Sequence, residues 1–472
     1  MINSRALPVF VSVMALMSAN VAAAQQRGTA ANNQRAEPES LLPAVAPTPA
    51  TTPAPGASPA PAPVSTSQPI IQPLPGVDPL QPDKAPLQEW NIDDAAALLG
   101  FIRNIASEGL DPEEYHPEDL FDAIQTGENL NEVASRSFVW LVEDLRDGRT
   151  PMDARKQWFV VDPDPDLMPT GELMVEALDN HDVVVVLKGL NPIHPDYAAL
   201  KKALADTPEA KEDRRKLIRA NMDRWRWLPR DLGTQYLMTN VPEYQLRLTV
   251  NDNIIRSYKT IVGKPGRTAT PQLMEQVRGV VFNPTWTVPQ SIVKGEGLGE
   301  RVLNNPSWAA NKGYKATRGE NGYISVVQQP GPTNSLGRMK LDMPNEHAIF
   351  LHDTPARNLF NNKDRALSHG CIRTERALEL AITMAILGDG VDKDGAVEIA
   401  NSGEYTKVAL EKTMPVYITY FTMATDINGT MSTFSDIYDR DAPVLASLDK
   451  PRVRNRARVT DEEVVPIEAP GA

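Results

Sequence analysis

The chain contains one cysteine in 472 residues, in the run Ser368-His369-Gly370-Cys371-Ile372-Arg373, with His352 nineteen positions upstream. A thiol accompanied by histidines is a candidate acyl-accepting nucleophile. Such a nucleophile needs a base or cation that favours the thiolate, donors for an oxyanion, and access. His352 closes the apolar run Ala348-Ile349-Phe350-Leu351, so its ring is expected to emerge at a strand end. Cys371 falls just before Thr374, which reads as the N-cap of a helix from Glu375 to about Leu387. Helix amide dipoles and a histidine in reach would both lower the thiol pKa. Gly370 admits close backbone approach, so the amides of Gly370 and Cys371 are candidate oxyanion donors.

The same residues permit other chemistry. One thiolate and two imidazoles, from Cys371, His369 and His352, could ligate zinc, although His369-Gly370-Cys371 is tighter than usual ligand spacing and His347 need not converge. A buried, inert cysteine beside satisfied histidines is the third possibility.

The elements that must position these groups fall into two patterns. From Trp90 to Leu204 the apolar residues recur with helical period, as in Ala97, Leu98, Phe101, Ile102 and Ile105, and again in Phe138, Leu141 and Leu145. Tyr197 to Leu204 and Ala210 to Trp227 read as two more helices, the second carrying Arg214, Arg215, Lys216, Arg219, Arg224 and Arg226 beside Trp225 and Trp227. That face is expected to be solvated, its tryptophans packing into the next domain. After Pro229 short alternating or β-branched runs take over: Tyr236–Thr239, Gln245–Val250, Ile254–Val262, Gly279–Phe282, Tyr323–Gln328, Ala348–His352 and Val416–Phe421. The fold class is therefore α+β, with a helical domain at 88–205, a linker helix at 206–234 and a mostly-β domain at 235–425. The polar stretch near 293–334 is long for a connection and reads as a lid-like loop. Residues 426–472 read as an extension ending in a loose, charged tail from about Ala442.

The N-terminal region has a different character. Arg5, the apolar Ala6–Met17 and the small Ala22 and Ala24 ahead of Gln25 fit an export signal over 1–24, with an uncleaved signal anchor as the variant reading. Residues 25–87 form a Pro/Ala-rich linker that cannot bury a core, with 14 of the 41 prolines between Leu42 and Leu87. The formal charge of −13 argues against a nucleic-acid partner, which calls for a basic footprint. An exported chain with one thiol has no internal disulfide partner to trap it.

His352, fifteen intervening residues and Ser368-His369-Gly370-Cys371-Ile372-Arg373 resemble the signature of the L,D-transpeptidases, cysteine enzymes that crosslink bacterial peptidoglycan. Asn283-Pro284-Thr285-Trp286-Thr287-Val288-Pro289, Asn334-Ser335-Leu336-Gly337-Arg338-Met339-Lys340 and Leu351-His352-Asp353-Thr354-Pro355 are similar to the large Gram-negative periplasmic branch. Asn221–Arg230 resembles the linker helix of that branch, and Trp90 to about Leu204 resembles its helical scaffold domain. The resemblance implies a β-sandwich-like catalytic domain in which Cys371 is the nucleophile and His352 the base, oriented by a backbone carbonyl at or next to Asp353. His369 and Gly370 would support the site, while Ser368, Arg373, Trp286 and Phe350 would contact substrate. It also implies acyl transfer without ATP, metal or organic cofactor, on peptidoglycan stem peptides in the periplasm. Outer-membrane protein amines or water are alternative acceptors, and a non-catalytic wall-binding protein is the alternative class. Two features depart from the branch: Phe350 stands where tyrosine is frequent, and Leu204 runs into Lys211–Asn221 with no room for a peptidoglycan-binding module.

Overall fold

The computed structural model describes residues 87–453 and 456–464. The expected export signal and nearly all of the Pro/Ala-rich linker lie outside the described residues. The helical region runs α1 (Ile92–Arg103), α2 (Pro117–Thr126), α3 (Leu130–Asp147), α4 (Asp164–Leu167), α5 (Thr170–Asp179), α6 (Val183–Gly189), α7 (Pro195–Asp206) and α8 (Glu212–Trp225). Asn91 caps α1 by accepting the Asp94 amide. Leu98, Ile102, Phe138, Leu141 and Leu145 come together in its core, as their helical spacing requires.

The β region begins with β1 (Gln235–Asn240), β2 (Gln245–Val250), β3 (Asn253–Gly263) and β4 (Leu273–Phe282). The stretch after β5 (Trp286–Thr287), expected to be a loop apart from the strand at Tyr323–Gln328, is built throughout: α9 (Gln290–Gly295), α10 (Leu298–Asn304), α11 (Pro306–Asn311) and β6 (Tyr314–Arg318) precede β7 (Ile324–Gln328), the expected strand. Val293, Leu298, Val302, Ala309, Ile324 and Val326 are buried there, and β5, β7 and β6 form their own three-stranded sheet. The apolar positions lie too sparsely among Gly, Asn and Lys to show a period in sequence.

The chain then continues through β8 (Met339–Asp342), β9 (Leu351–His352), β10 (Ala366–Ser368), β11 (Ile372–Thr374), α12 (Ala377–Leu387), α13 (Lys393–Ser402), β12 (Thr406–Thr419), β13 (Met423–Thr425), β14 (Met431–Thr433) and α14 (Asp441–Leu448). The main sheet runs β10-β3-β11-β9-β8-β4-β12-β1-β2, and β3 also pairs with β2. That pairing closes the ring, so the two faces expected of a sandwich are one continuous sheet. β12 is long enough to pair β1 in parallel and β4 antiparallel along its length. Leu380, Ala381, Met384 and Ala385 of α12 are fully buried with Leu237, Val277, Leu341, Leu351 and Ile372. The helix lies against β4, β8 and β12, and Leu351 of β9 and Ile372 of β11 share the core it completes.

Helix α8 ties the helical and β regions together. Trp225 is sandwiched between His194 (4.2 Å) and Phe421 (4.6 Å). Its basic face is not solvated throughout: Arg214 is exposed, whereas Arg224 and Arg226 are buried. Arg224 pairs with Asp441 at 2.7 Å, and Arg226 donates to Glu108 O and the Tyr197 hydroxyl. A burial of this kind requires exact partners from distant elements, which helical periodicity cannot show.

The tail expected to be loose is also anchored among its described residues. Arg452 pairs with Glu143 and Asp144, Arg456 with Asp144, and Arg458 with Asp166. Arg149 donates to Lys450 O, and Glu462 accepts the Gln157 amide. The tail looked loose because its charges have no partners nearby in sequence; the partners lie in α3, in α4 and in the connections that follow α3.

Candidate active site

Three short strands bring the chemistry together. β9 and β11 pair in parallel with Arg373 opposite His352, and β8 pairs antiparallel with β9 so that Lys340 lies opposite His352. Directly paired residues share a face. Lys340, His352 and Arg373 therefore form one row across the sheet, and Cys371, two residues before Arg373, sits at its edge. The Ile372 amide donates to Phe350 O, continuing the ladder past the cysteine.

His352 is buried, and its Nδ1 donates to Asp353 O at 2.5 Å. A carbonyl only accepts, so the proton is on Nδ1 and Nε2 keeps its lone pair. The Asp353 side chain has a separate task. Its buried carboxylate accepts the Arg338 amide and the Arg357 guanidinium, fixing the turn into β8. Gly337 in that turn has φ 60°, and a β-carbon there would strike the Asp353 carboxylate.

Burial pushes the His352 pKa down to about 3; Arg373 adds to the depression, the Asp353 carbonyl opposes it, and Lys340 adds a smaller lowering. Burial pushes the Cys371 thiol up to about 11, although the Phe350 backbone, Lys340 and Arg373 all pull it down. The resting pair is thus neutral thiol and neutral imidazole. The helix-terminus expectation fails: Thr374 is a buried strand residue, and α12 starts only at Ala377 after Arg376 in a left-handed conformation. Pairing of Ile372–Thr374 with β3 and β9 outweighs the local capping preference.

The turn before the cysteine is locked from within. Ser368 is buried, donates to Cys371 O at 2.6 Å and accepts the Gly370 amide at 3.1 Å. It thereby braces the turn that presents Cys371. The Gly370 amide, expected to face an oxyanion, is occupied by that bond. Gly370 has φ 121°, and its carbonyl accepts the Thr270 hydroxyl at 2.7 Å. The half-buried Cys371 directs Sγ to Ala348 O at 3.7 Å.

The other expected residues distribute around this centre. Phe350 packs edge-on against His352 at 5.5 Å, and the Lys340 ammonium lies 3.9 Å from its ring centroid. His369 is exposed, with Nε2 3.9 Å from Glu296. It borders a cleft of about 30 Å³ with Arg267, Thr268, Ser291, His347 and Gly370. His347 is buried against Phe159. Trp286 sits on the separate β5-β7-β6 sheet. Lys340 received no role from the sequence, although it stands in a quoted motif; only the strand register places it across from His352. Among the described residues no group of three or more His, Cys, Asp or Glu is arranged to hold a metal ion.

Residues 234–418 match the family model of the L,D-transpeptidase catalytic domain, and residues 89–204 match the scaffold-domain model. A curated Haemophilus influenzae protein, provisionally assigned as an L,D-transpeptidase, is 28% identical over 223 residues, covering 44% of this chain. The match spans 45% of that relative, about half its length. An L,D-transpeptidase structure from Mycobacterium smegmatis is 13% identical, with 39% of this chain and 58% of that one covered and a TM-score of 0.21. L,D-transpeptidase 1 of Mycobacterium tuberculosis is 11% identical, with 39% and 61% covered and a TM-score of 0.18. With both models matched in chain order, residues 234–418 form an L,D-transpeptidase catalytic domain, preceded at 89–204 by a helical scaffold domain.

Proposed function

We propose that this protein is a periplasmic cysteine acyltransferase that makes crosslinks between third-position residues of peptidoglycan stems. The observation that carries the reading is the strand register that sets Arg373 against His352, with Cys371 at the edge of the same row and the His352 Nε2 lone pair free of the Asp353 bond. Cys371 attacks the carbonyl of the diamino acid at position three of a tetrapeptide stem, and His352 Nε2 takes the thiol proton as the S–C bond forms. The C–N bond to the terminal D-Ala then breaks, and His352 returns the proton to the leaving amine. A side-chain amine of a second stem attacks the thioester, losing its proton to His352 as Cys371 is regenerated. Two neutral partners suit this route, because the proton moves only when the nucleophile is in use. No ATP, metal or organic cofactor enters any step.

Cys371→Ala should abolish product formation from tetrapeptide muropeptides while leaving the fold intact, and unchanged turnover would sink the mechanism. His352→Ala should cost more rate than His369→Ala, because only His352 has the fixed tautomer; the reverse order overturns the assignment. Product masses identify the acceptor, since a stem dimer, an adduct with an outer-membrane protein amine and a hydrolysed tripeptide all differ.

A further inference from the structure

Arg373 stands out once the row is assembled. It is half-buried, faces Cys371, and forms an ion pair with no carboxylate among the described residues. Holding a guanidinium partly out of water without an acid is unfavourable unless an anion arrives in the working complex. Lys340 adds a second cation on the far side of His352, braced over the Phe350 ring. Two cations therefore flank the base within one strand spacing each, about 4.8 Å. The nearby acids are engaged elsewhere: Asp353 with Arg357 and the Arg338 amide, and Asp342 with Lys407.

We infer that Arg373, with Lys340, binds the C-terminal carboxylate of the donor stem and so selects stems that end one residue beyond the scissile bond. This rests on the acyl-transfer reading above. In a tetrapeptide the terminal carboxylate lies one residue, about 3.3–3.6 Å of extended chain, past the attacked carbonyl. Arg373 lies directly across the ladder from the base that protonates the leaving amine. In a pentapeptide the carboxylate moves one residue further out and the cations face a neutral amide. The planar fork of Arg373 fits a carboxylate bidentately, and Lys340 supplies a point charge.

The test uses the full chain and three synthetic donors: a tetrapeptide stem with a free C-terminus, the same stem as its carboxamide, and a pentapeptide. Acylation of Cys371 is read by intact mass and kcat/KM by release of the terminal residue. The wild-type protein should prefer the free acid over the carboxamide by roughly ten- to a hundred-fold, as expected for losing one charge-assisted contact. Arg373→Gln should collapse that preference to within about two- to three-fold, Arg373→Lys should retain part of it, and Lys340→Met should reduce it less than Arg373→Gln. Equal wild-type rates on acid and amide overturn the inference while leaving the transpeptidase reading intact. So does a loss in Arg373→Gln that is the same on both donors, which would mean that the cations serve only the thiolate. Absence of acylation with every donor overturns the underlying reading instead. The acid-against-amide comparison in the wild-type protein needs no variant, so misfolding of a variant cannot leave the question open.

Discussion

At the residue scale the centre is a neutral pair held ready rather than a preformed ion pair. With the Cys371 thiol near 11 and His352 near 3, both groups stay uncharged from about pH 5 to pH 9. The folded His352 pKa lies below its usual value, so its neutral form is secure above about 6.5 and protonation begins only as pH falls toward 3. Alkylation of Cys371 by iodoacetamide should therefore climb through pH 9 and beyond, without a plateau near the ~8.5 of a free thiol. A plateau below pH 9, followed by mass spectrometry, would mean that a cation or helix terminus holds a thiolate after all. Acylation by a stem peptide should correspondingly show no acid limb near pH 6.5.

At the element scale, the short strands that carry the site depend on what packs behind and beside them. β9 contributes two residues and β11 three, too few to be stable alone; pairing with β8 and β3 and the shared core of Leu351 and Ile372 support them. Helix α8 does the corresponding work between regions through Trp225, stacked between His194 and Phe421. Trp225→Ala should cost on the order of 3–5 kcal/mol of stability. Chemical denaturation should show that loss, and the residual native protein should still acylate, because the lost contact lies away from the β9–β11 register. Loss of acylation in still-folded protein would show that α8 sets the site geometry.

At the scale of the whole molecule, the described C-terminal segment returns to the helical region at α3. Arg452 and Arg456 neutralise Glu143 and Asp144 in α3, carboxylates that are otherwise buried, and burial already raises the Glu143 pKa. Removing the residues after Leu448 should leave those acids unpaired and lower stability by about 3–5 kcal/mol. Thermal denaturation of the full and shortened chains checks this. Asp144→Asn in the shortened chain should recover part of the loss by removing one uncompensated charge, and no recovery would assign the effect to packing alone.

The helices with clean 3.6-residue periodicity and strands such as Gln245–Val250 are legible from local pattern, because each carries its buried face in its own residues. The candidacy of Cys371 and His352 is legible as types and spacing, and the Asp353 carbonyl partner of His352 follows from adjacency. Nonlocal pairing decides the rest. The strand at Ile372–Thr374 overrides a capping signal because it completes a ladder with β3 and β9. The role of Lys340 depends on a register that links positions twelve residues apart. Closure of the sheet through β2 and β3, burial of Arg224 and Arg226, and docking of the tail all draw on partners from distant elements. The sequence by itself determined which atoms could react and which of the cleanly periodic segments would be helical or extended. Only the tertiary structure decided the protonation state in which those atoms wait and the cations that surround them, because burial and cross-strand register are properties of the assembled sheet.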